Sequence, residues 1–502
     1  MAAAISPRRP LFIRGSEMNL VERIDHWGRV SPDATAHVSD ERTLTYGELC
    51  RRSDALATHL AERFGDDRAP IAVLGHREPE MPIAFLGAVK SGRPYMPIDT
   101  AFPQQRIGKI LAISRAALVL TPEKTAQFSA SAVRAPGNCV QQDDPFYILF
   151  TSGSTGEPKG VVITLGCVEY FINWVLAEQK FIEQNEIFLN QPPFSFDVSV
   201  MGLYCGLVTG GTVFSISRDL VANPKMLYRA LANSDVTTWV STPSFAQMCL
   251  VEDKFGEAML PRVRRFLFCG ETLAPQIASR LLERFPRAQV WNTYGPTETT
   301  VATTSVRIDH AILEKYSPLP IGRPMPGSEV FVVNEKGEAL PANKRGEIII
   351  AGPNVSPGYL GRPDLTANAF FQHRGQRAYR TGDWGRFRDN LLFFEGRIDE
   401  QIKLYGYRIE LGDVEANLRA LAPVRDAVVI PVVKDGATQS LAAFVVLNAR
   451  GEASHFELAN TLRKQLGERL PAYMLPRKFV FLDAFPMTAN GKADRARLAE
   501  SL

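Results

Sequence analysis

Thr151-Ser-Gly-Ser-Thr-Gly-Glu-Pro-Lys-Gly160 follows directly on Phe146-Tyr-Ile-Leu-Phe150, an apolar run that reads as a buried strand. Within these ten residues, Gly153, Gly156 and Gly160 leave the backbone N–H groups uncovered. Thr151, Ser152, Ser154 and Thr155 add hydroxyls, and Lys159 adds a positive charge. Many donors with little bulk are what phosphate oxygens require, so the stretch reads as a phosphate cradle. It is not the common nucleotide P-loop, because Glu157 and Pro158 intervene before Lys159 and Gly160 follows it, leaving no hydroxyl in the usual Mg²⁺-holding place.

Around this loop, helix and strand signals alternate. Thr45 with Glu48 makes a capping box, and Leu49, Leu56, Leu60 and Phe64 recur at helical spacing. Ile71 to Leu74 reads as a strand, Pro82 to Val89 as a helix, Ala117 to Leu120 as a strand and Val168 to Leu176 as a helix, with 121–144 a polar surface connection. Such alternation predicts an α/β class with layered, parallel or mixed sheets, whose strand-end loops carry the site. After about residue 399 a second set of signals begins. Strands are expected at 427–433, 441–447 and 478–482 and a helix at 456–466, enough for a small α+β domain. The expected division is a flexible extension over 1–17, a large amino-terminal domain over 18–398 and a small carboxy-terminal domain over 399–502.

Bulk properties narrow the function. A chain of 502 residues with 45% hydrophobic and 22% charged residues is globular and too long for one ordinary core. Net charge is only +3, from 57 basic and 54 acidic residues, so no electrostatic case for nucleic acid or a membrane surface arises. The six cysteines and seven histidines fall into no disulfide framework or zinc-ligand spacing. No segment has the apolar length of a signal peptide core or a membrane span. The expectation is a cytoplasmic monomer without membrane insertion.

Four further strings carry chemistry. In Phe194-Ser-Phe-Asp-Val-Ser-Val-Met201, Asp197 stands among apolar residues, where a carboxylate is costly to bury without a cationic or hydrogen-bonding partner. In Trp291-Asn-Thr-Tyr-Gly-Pro-Thr-Glu298, Tyr294 offers a flat face for adenine and Asn292 and Thr293 offer polar edges. Gly295, Pro296 and Thr297 make the turn, and Glu298 offers oxygen to Mg²⁺. Asp383, in Tyr379-Arg-Thr-Gly-Asp383, can accept from two vicinal ribose hydroxyls. Asn490-Gly491 is a turn that presents Lys492 at a loop tip.

Taken together and in this order, the strings resemble the signatures of the adenylate-forming superfamily, over essentially the whole chain from residue 18. That family includes acyl-CoA synthetases and the amino-acid-activating domains of nonribosomal peptide synthesis. The resemblance implies ATP as substrate, with Thr151 to Gly156, Lys159, Asn292 to Thr297, Asp383, Arg397 and Lys492 at the nucleotide and Glu298 on Mg²⁺. It implies that Asp197 receives a substrate α-ammonium, that Met201, Cys269 and Val301 shape the side-chain pocket, and that Asp399 is a hinge about which a mobile small domain turns. Lys492 would then reach the site as a catalytic cation. Phe268-Cys-Gly-Glu271, Ser241-Thr-Pro-Ser-Phe-Ala-Gln-Met-Cys249, Pro471-Ala-Tyr-Met-Leu-Pro-Arg-Lys-Phe479 and Met487-Thr-Ala-Asn-Gly-Lys492 resemble the members that activate D-alanine and load it onto a phosphopantetheinylated carrier protein. Met201-Gly202-Leu-Tyr-Cys205 departs from the Met-Asp-Leu-Tyr-Pro usual there, and the connection before Phe146 is shorter. The alternatives are an activating enzyme for glycine or L-alanine in peptide biosynthesis, an acyl-CoA synthetase, and a silent nucleotide-binding module.

Overall fold

A computed structural model of the chain describes residues 18–40, 42–128, 139–153, 156–181, 186–404, 406–434, 437–448, 454–487 and 493–502. The expected extension over 1–17, and Ser154, Thr155 and Lys492, lie outside the described residues.

Local signals become elements where predicted. Thr45 caps the helix Tyr46–Phe64 through a reciprocal bond pair with Glu48. Leu49, Leu56 and Leu60 on its inner face are fully buried, each burial contributing roughly 1.5–3 kcal/mol. Leu56 lies on Gly87 of the helix Glu80–Lys90, where a Cβ would stand 2.6 Å from Leu56 Cδ2. That second helix is buried on every side, which is why its sequence shows no polar face. The connection after Leu120 is less plain than expected, because Thr121 caps a short helix, Pro122–Ala126.

A six-stranded sheet runs in the order Gly358–Tyr359, Lys159–Thr164, Pro145–Thr151, Tyr95–Asp99, Ile71–Gly75, Leu118–Leu120. A nine-stranded sheet runs Arg323–Pro324, Thr304–Ile308, Gln289–Tyr294, Arg265–Phe268, Thr238–Ser241, Ile187–Asn190, Thr212–Ser215, Thr35–Ser39, Arg42–Thr45. Both mix parallel and antiparallel pairs. Pro145–Thr151 pairs parallel with Tyr95–Asp99 but antiparallel with Lys159–Thr164. The glycine-rich loop is therefore a hairpin connection, and the strand after it continues the sheet where a P-loop would start a helix. A third, five-stranded sheet built from Glu329–Val333 to Leu391–Arg397 adds Asp383 on the long strand Gln376–Arg388.

Past residue 400 come the hairpin Gln401–Leu404/Tyr407–Glu410, the helix Leu411–Arg419, a three-stranded sheet and the helix His455–Gly467. Among the described residues, no apolar cluster joins residues up to Phe394 with residues from Ile402 on. The two sets of cores are separate, and the short segment between them contains Arg397 and Asp399.

Candidate active site

The glycine-rich loop closes on itself through a bond from Gly156 N to Gly153 O (3.1 Å). Gly156 has a φ of +83°, and Gly153 has no room for a side chain, since a Cβ would meet Glu157 O at 2.2 Å. Thr151 Oγ1 is buried with no hydrogen-bond partner among the described residues, and Ser152 Oγ donates to Arg408 O (3.0 Å) while accepting from Glu410 N (3.2 Å). Lys159, drawn below its ordinary pKa by burial and by Arg408 nearby, points Nζ toward Tyr359 Oη (3.4 Å) and Glu298 Oε1 (3.7 Å).

Glu298 sits in a short 3₁₀ turn with no solvent exposure. Burial alone would raise its pKa, but Arg408, Lys159 and the Tyr359 hydroxyl outweigh that and hold it at about 2. Arg408 Nη1 donates to both of its oxygens (3.0 and 2.8 Å), and Tyr359 Oη donates at 2.8 Å. Among the described residues no cluster of three or more metal-ligating side chains exists. A Mg²⁺ held by one carboxylate and by substrate phosphates suits this donor set, provided Arg408 is elsewhere.

One residue before Glu298, Thr297 Oγ1 donates to Asp197 Oδ2 (2.7 Å). Asp197 is 4% exposed at the start of the helix Val198–Val208. Burial raises its pKa to about 6, only partly countered by the Thr297 hydroxyl and the more distant Lys403. Unlike Glu298, it has no cation in bonding contact among the described residues. A small cavity of about 40 Å³ is walled by Asp197, Thr297, Thr151, Ser152 and Arg408.

Cys269 and Val301 are in contact: the thiol donates to Val301 O at 3.4 Å, and burial pushes its pKa up to about 11. Thr300 and Val301 both have positive φ, 58° and 68°, a conformation costing about 1–3 kcal/mol for such residues. Asn354 holds the turn, accepting from Thr300 Oγ1 (2.7 Å) and donating to Thr299 O (2.8 Å). The strained turn is what brings Val301 to Cys269. Met201 lies in the same apolar cluster as both. At the divergent Gly202 a Cβ would stand 2.7 Å from Asn190 Oδ1, so the missing side chain is matched by the placement of a buried carboxamide.

A larger cavity, about 1440 Å³, lies between the two sets of cores and is lined by Thr293, Tyr294, Asp383, Arg397 and Asp399. Tyr294 Oη and Arg397 Nη1 donate to the two oxygens of Asp383, each at 2.5 Å. Arg397 also forks onto Asp399 (2.6 and 2.7 Å). Asn292 turns away, giving its amide to Pro320 O (2.8 Å), and Thr293 Oγ1 donates to Phe268 O (2.8 Å).

The hairpin Gln401–Leu404/Tyr407–Glu410 reaches the site through Arg408 and Glu410, which contact Glu298 and Ser152. Gly406, at φ +83°, donates its N–H to Glu271 Oε1 (2.6 Å) and leaves no space for a Cβ against Thr242. Behind it Arg106 meets Asp413 at 3.2 Å, with both side chains buried.

The model of the AMP-binding enzyme family matches residues 24–360, and that of the AMP-binding enzyme C-terminal domain matches residues 413–492. The chain belongs to the AMP-binding enzyme family. It is 45% identical over 499 residues to a D-alanine--D-alanyl carrier protein ligase of Bacillus thuringiensis (strain Al Hakam), covering 96% of this chain and 99% of that one. Its fold matches the Vibrio cholerae adenylation domain AlmE in complex with glycyl-adenosine-5'-phosphate, with a TM-score of 0.83, 21% identity, and 97% and 98% of the two chains covered. It also matches holo-PA1221, an NRPS protein containing adenylation and PCP domains, with a TM-score of 0.81, 25% identity, and 96% and 84% covered. The α/β class with a large amino-terminal and a smaller carboxy-terminal domain is the fold of these solved adenylation-domain structures. Among the described residues no helix is long and apolar enough to cross a membrane.

Sequence reasoning assigned no role to Tyr359 or Arg408. Gly406-Tyr-Arg408 lies just past the expected domain boundary, outside the strings that carry chemistry. Nothing in its spacing says that an arginine so late in the chain reaches a carboxylate 110 residues earlier.

Proposed function

We propose that this AMP-binding enzyme activates D-alanine with ATP as D-alanyl-AMP and passes the acyl group to the phosphopantetheine thiol of a carrier protein. The observation that carries the amino-acid reading is Asp197, a buried carboxylate met by a hydroxyl and, among the described residues, by no contacting cation. A substrate ammonium is the cation it suits. The near full-length likeness to D-alanine--D-alanyl carrier protein ligases supports D-alanine and a carrier as the partners.

In the first step the amino-acid carboxylate attacks the α-phosphorus of ATP, forming the acyl–phosphate bond and expelling pyrophosphate. Asp197 fixes the ammonium, Cys269 and Val301 bound the methyl, and Met201 backs them. Thr151 to Gly156 and Lys159 donate to the phosphates, Tyr294 faces the adenine and Asp383 takes the ribose hydroxyls, held in place by Arg397. Glu298, with phosphate oxygens, would hold Mg²⁺, which when bound neutralises phosphate charge. Lys492 would counter charge on the carboxylate and α-phosphate as they approach. In the second step the carrier thiol attacks the acyl carbon and AMP leaves. No protein nucleophile is required.

We place the domain boundary at 398/399 with Asp399 as hinge. Among the described residues, the hydrogen bonds and ion pairs of Asp494 and Arg495, just past Lys492, are with Pro486, Arg497, Leu498, Val429, Glu415 and Glu400, all beyond that boundary. Rotation of the small domain would carry Lys492 with it. We place the enzyme in the cytoplasm, where ATP is available.

The test is ATP–pyrophosphate exchange over a panel of D-alanine, L-alanine, glycine and fatty acids, followed by loading of a phosphopantetheinylated carrier. D-alanine should give the highest exchange rate. Preference for glycine or L-alanine would move the enzyme to peptide biosynthesis, and exchange with none would leave a nucleotide-binding module.

A further inference from the structure

Among the described residues three side chains satisfy Glu298, and two of these belong to the large domain. Tyr359 and Lys159 lie on adjacent strands of one sheet of the large domain. Arg408 alone comes from beyond the hinge, and it makes both closest charged contacts, 2.8 and 3.0 Å from one Nη1 to the two carboxylate oxygens. Its guanidinium is aimed by Gln401, which accepts from Nε at 2.8 Å. The same hairpin occupies Ser152 of the phosphate loop through Arg408 O and Glu410 N. With Glu298 wholly without solvent exposure and Arg408 on both of its oxygens, the carboxylate has no solvent-facing oxygen for a metal ion while the hairpin is docked.

We propose that Glu298 is a cation-exchange site, occupied in alternation by the Arg408 guanidinium and by the divalent metal carried on the nucleotide phosphates. The inference rests on the reading of Glu298 as the metal-bearing carboxylate. A buried carboxylate left without a contacting cation is strongly disfavoured, and Lys159 stands off at 3.7 Å. Each departure at Glu298 is therefore compensated by the other cation's arrival. The hairpin docks once metal and pyrophosphate have gone, and it is released when fresh metal–nucleotide arrives. Linkage makes the effect reciprocal: docking weakens metal–nucleotide binding by the factor by which metal–nucleotide weakens docking, about 5–150-fold for typical couplings.

The test uses the full chain with Mn²⁺ and α,β-methylene-ATP, an analogue that cannot be cleaved at the α-phosphate. Spin labels on Val30→Cys and Phe456→Cys, positions 54% and 76% exposed, report the domain arrangement. Mn²⁺ binding is read separately by its own resonance on unlabelled protein. In the otherwise native chain, saturating Mn²⁺–analogue should change the label separation. Arg408→Gln should bind Mn²⁺–analogue about 5–150-fold more tightly, with Arg408→Lys between the two. A gain in metal affinity is not what a merely unfolded or loosened variant gives. Equal affinity in both proteins, or Mn²⁺–analogue binding with the label separation unmoved, overturns the exchange while leaving the proposed activity standing. Failure of the otherwise native chain to bind the Mn²⁺–analogue overturns the ATP reading itself, and the exchange with it.

Discussion

Asp197 and Glu298 are both buried carboxylates joined through neighbouring positions, since Thr297 bonds Asp197 and precedes Glu298 in the chain. Their electrostatics are opposite. Glu298 is held ionised at about 2 against its own burial by Arg408, Lys159 and Tyr359, while burial lifts Asp197 to about 6 with a hydroxyl as its bonded side-chain partner. Among the described residues the chain supplies a contacting cation for Glu298 and none for Asp197, the proposed seat of the substrate ammonium. A carboxylate completed internally serves architecture and timing; one completed from outside serves recognition.

The largest expected effect breaks that comparison directly. Asp197→Asn should lower amino-acid-dependent pyrophosphate exchange on the order of 10³-fold, the scale of removing one partner of a buried ion pair, yet raise the melting temperature near neutral pH. The sign follows from linkage: with a folded pKa of about 6 against 3.8 unfolded, the native state binds more protons between these values and stability falls as pH rises through the window, by up to about 3 kcal/mol. Glu298→Gln should do the reverse to stability above pH 4.5, because a depressed pKa contributes stability present there and lost as pH falls toward 2. Melting curves that move the same way for both variants would erase the distinction.

Next in size is Lys492→Ala, expected to slow adenylation by about 10²–10³-fold, as loss of one transition-state charge partner does, while transfer from preformed D-alanyl-AMP persists. Equal loss in both steps, measured by exchange and by carrier loading, would mean that Lys492 does not leave the site between them. A pH profile sharpens the contrast further. Protonation of Asp197 removes its pull on the ammonium, so kcat/KM for D-alanine should drop about tenfold per unit below pH 6. A flat profile down to pH 5 would put the ammonium elsewhere. The smallest effect is at the wall: Cys269→Ala should relax discrimination between the alanine enantiomers by roughly tenfold, the worth of a methyl-sized contact. Unchanged selectivity in the exchange assay would remove the thiol from the pocket.

What the sequence revealed, and what it concealed, divides along the same line. Capping chemistry and apolar periodicity are local, so the helix Tyr46–Phe64 and the strand before the glycine-rich loop were legible. Asp197 was legible as a polar anomaly in an apolar run. The direction of the strand after the loop was not, because a glycine-rich turn leads equally well to a helix or back along the sheet. Nor was Arg408, whose partner is fixed by how two separately cored units meet. The opposite misdirection occurred at Asn292, polar and inside a signature string, whose amide is spent on the Pro320 carbonyl.

Arg397 forks onto Asp399 with two nitrogens and gives its third to Asp383. One planar group thus ties the proposed sugar clamp to the proposed pivot. Whatever tightens its grip on the sugar side must also be felt as stiffness at the swivel, so nucleotide affinity and the ease of turning are not independently adjustable in this chain.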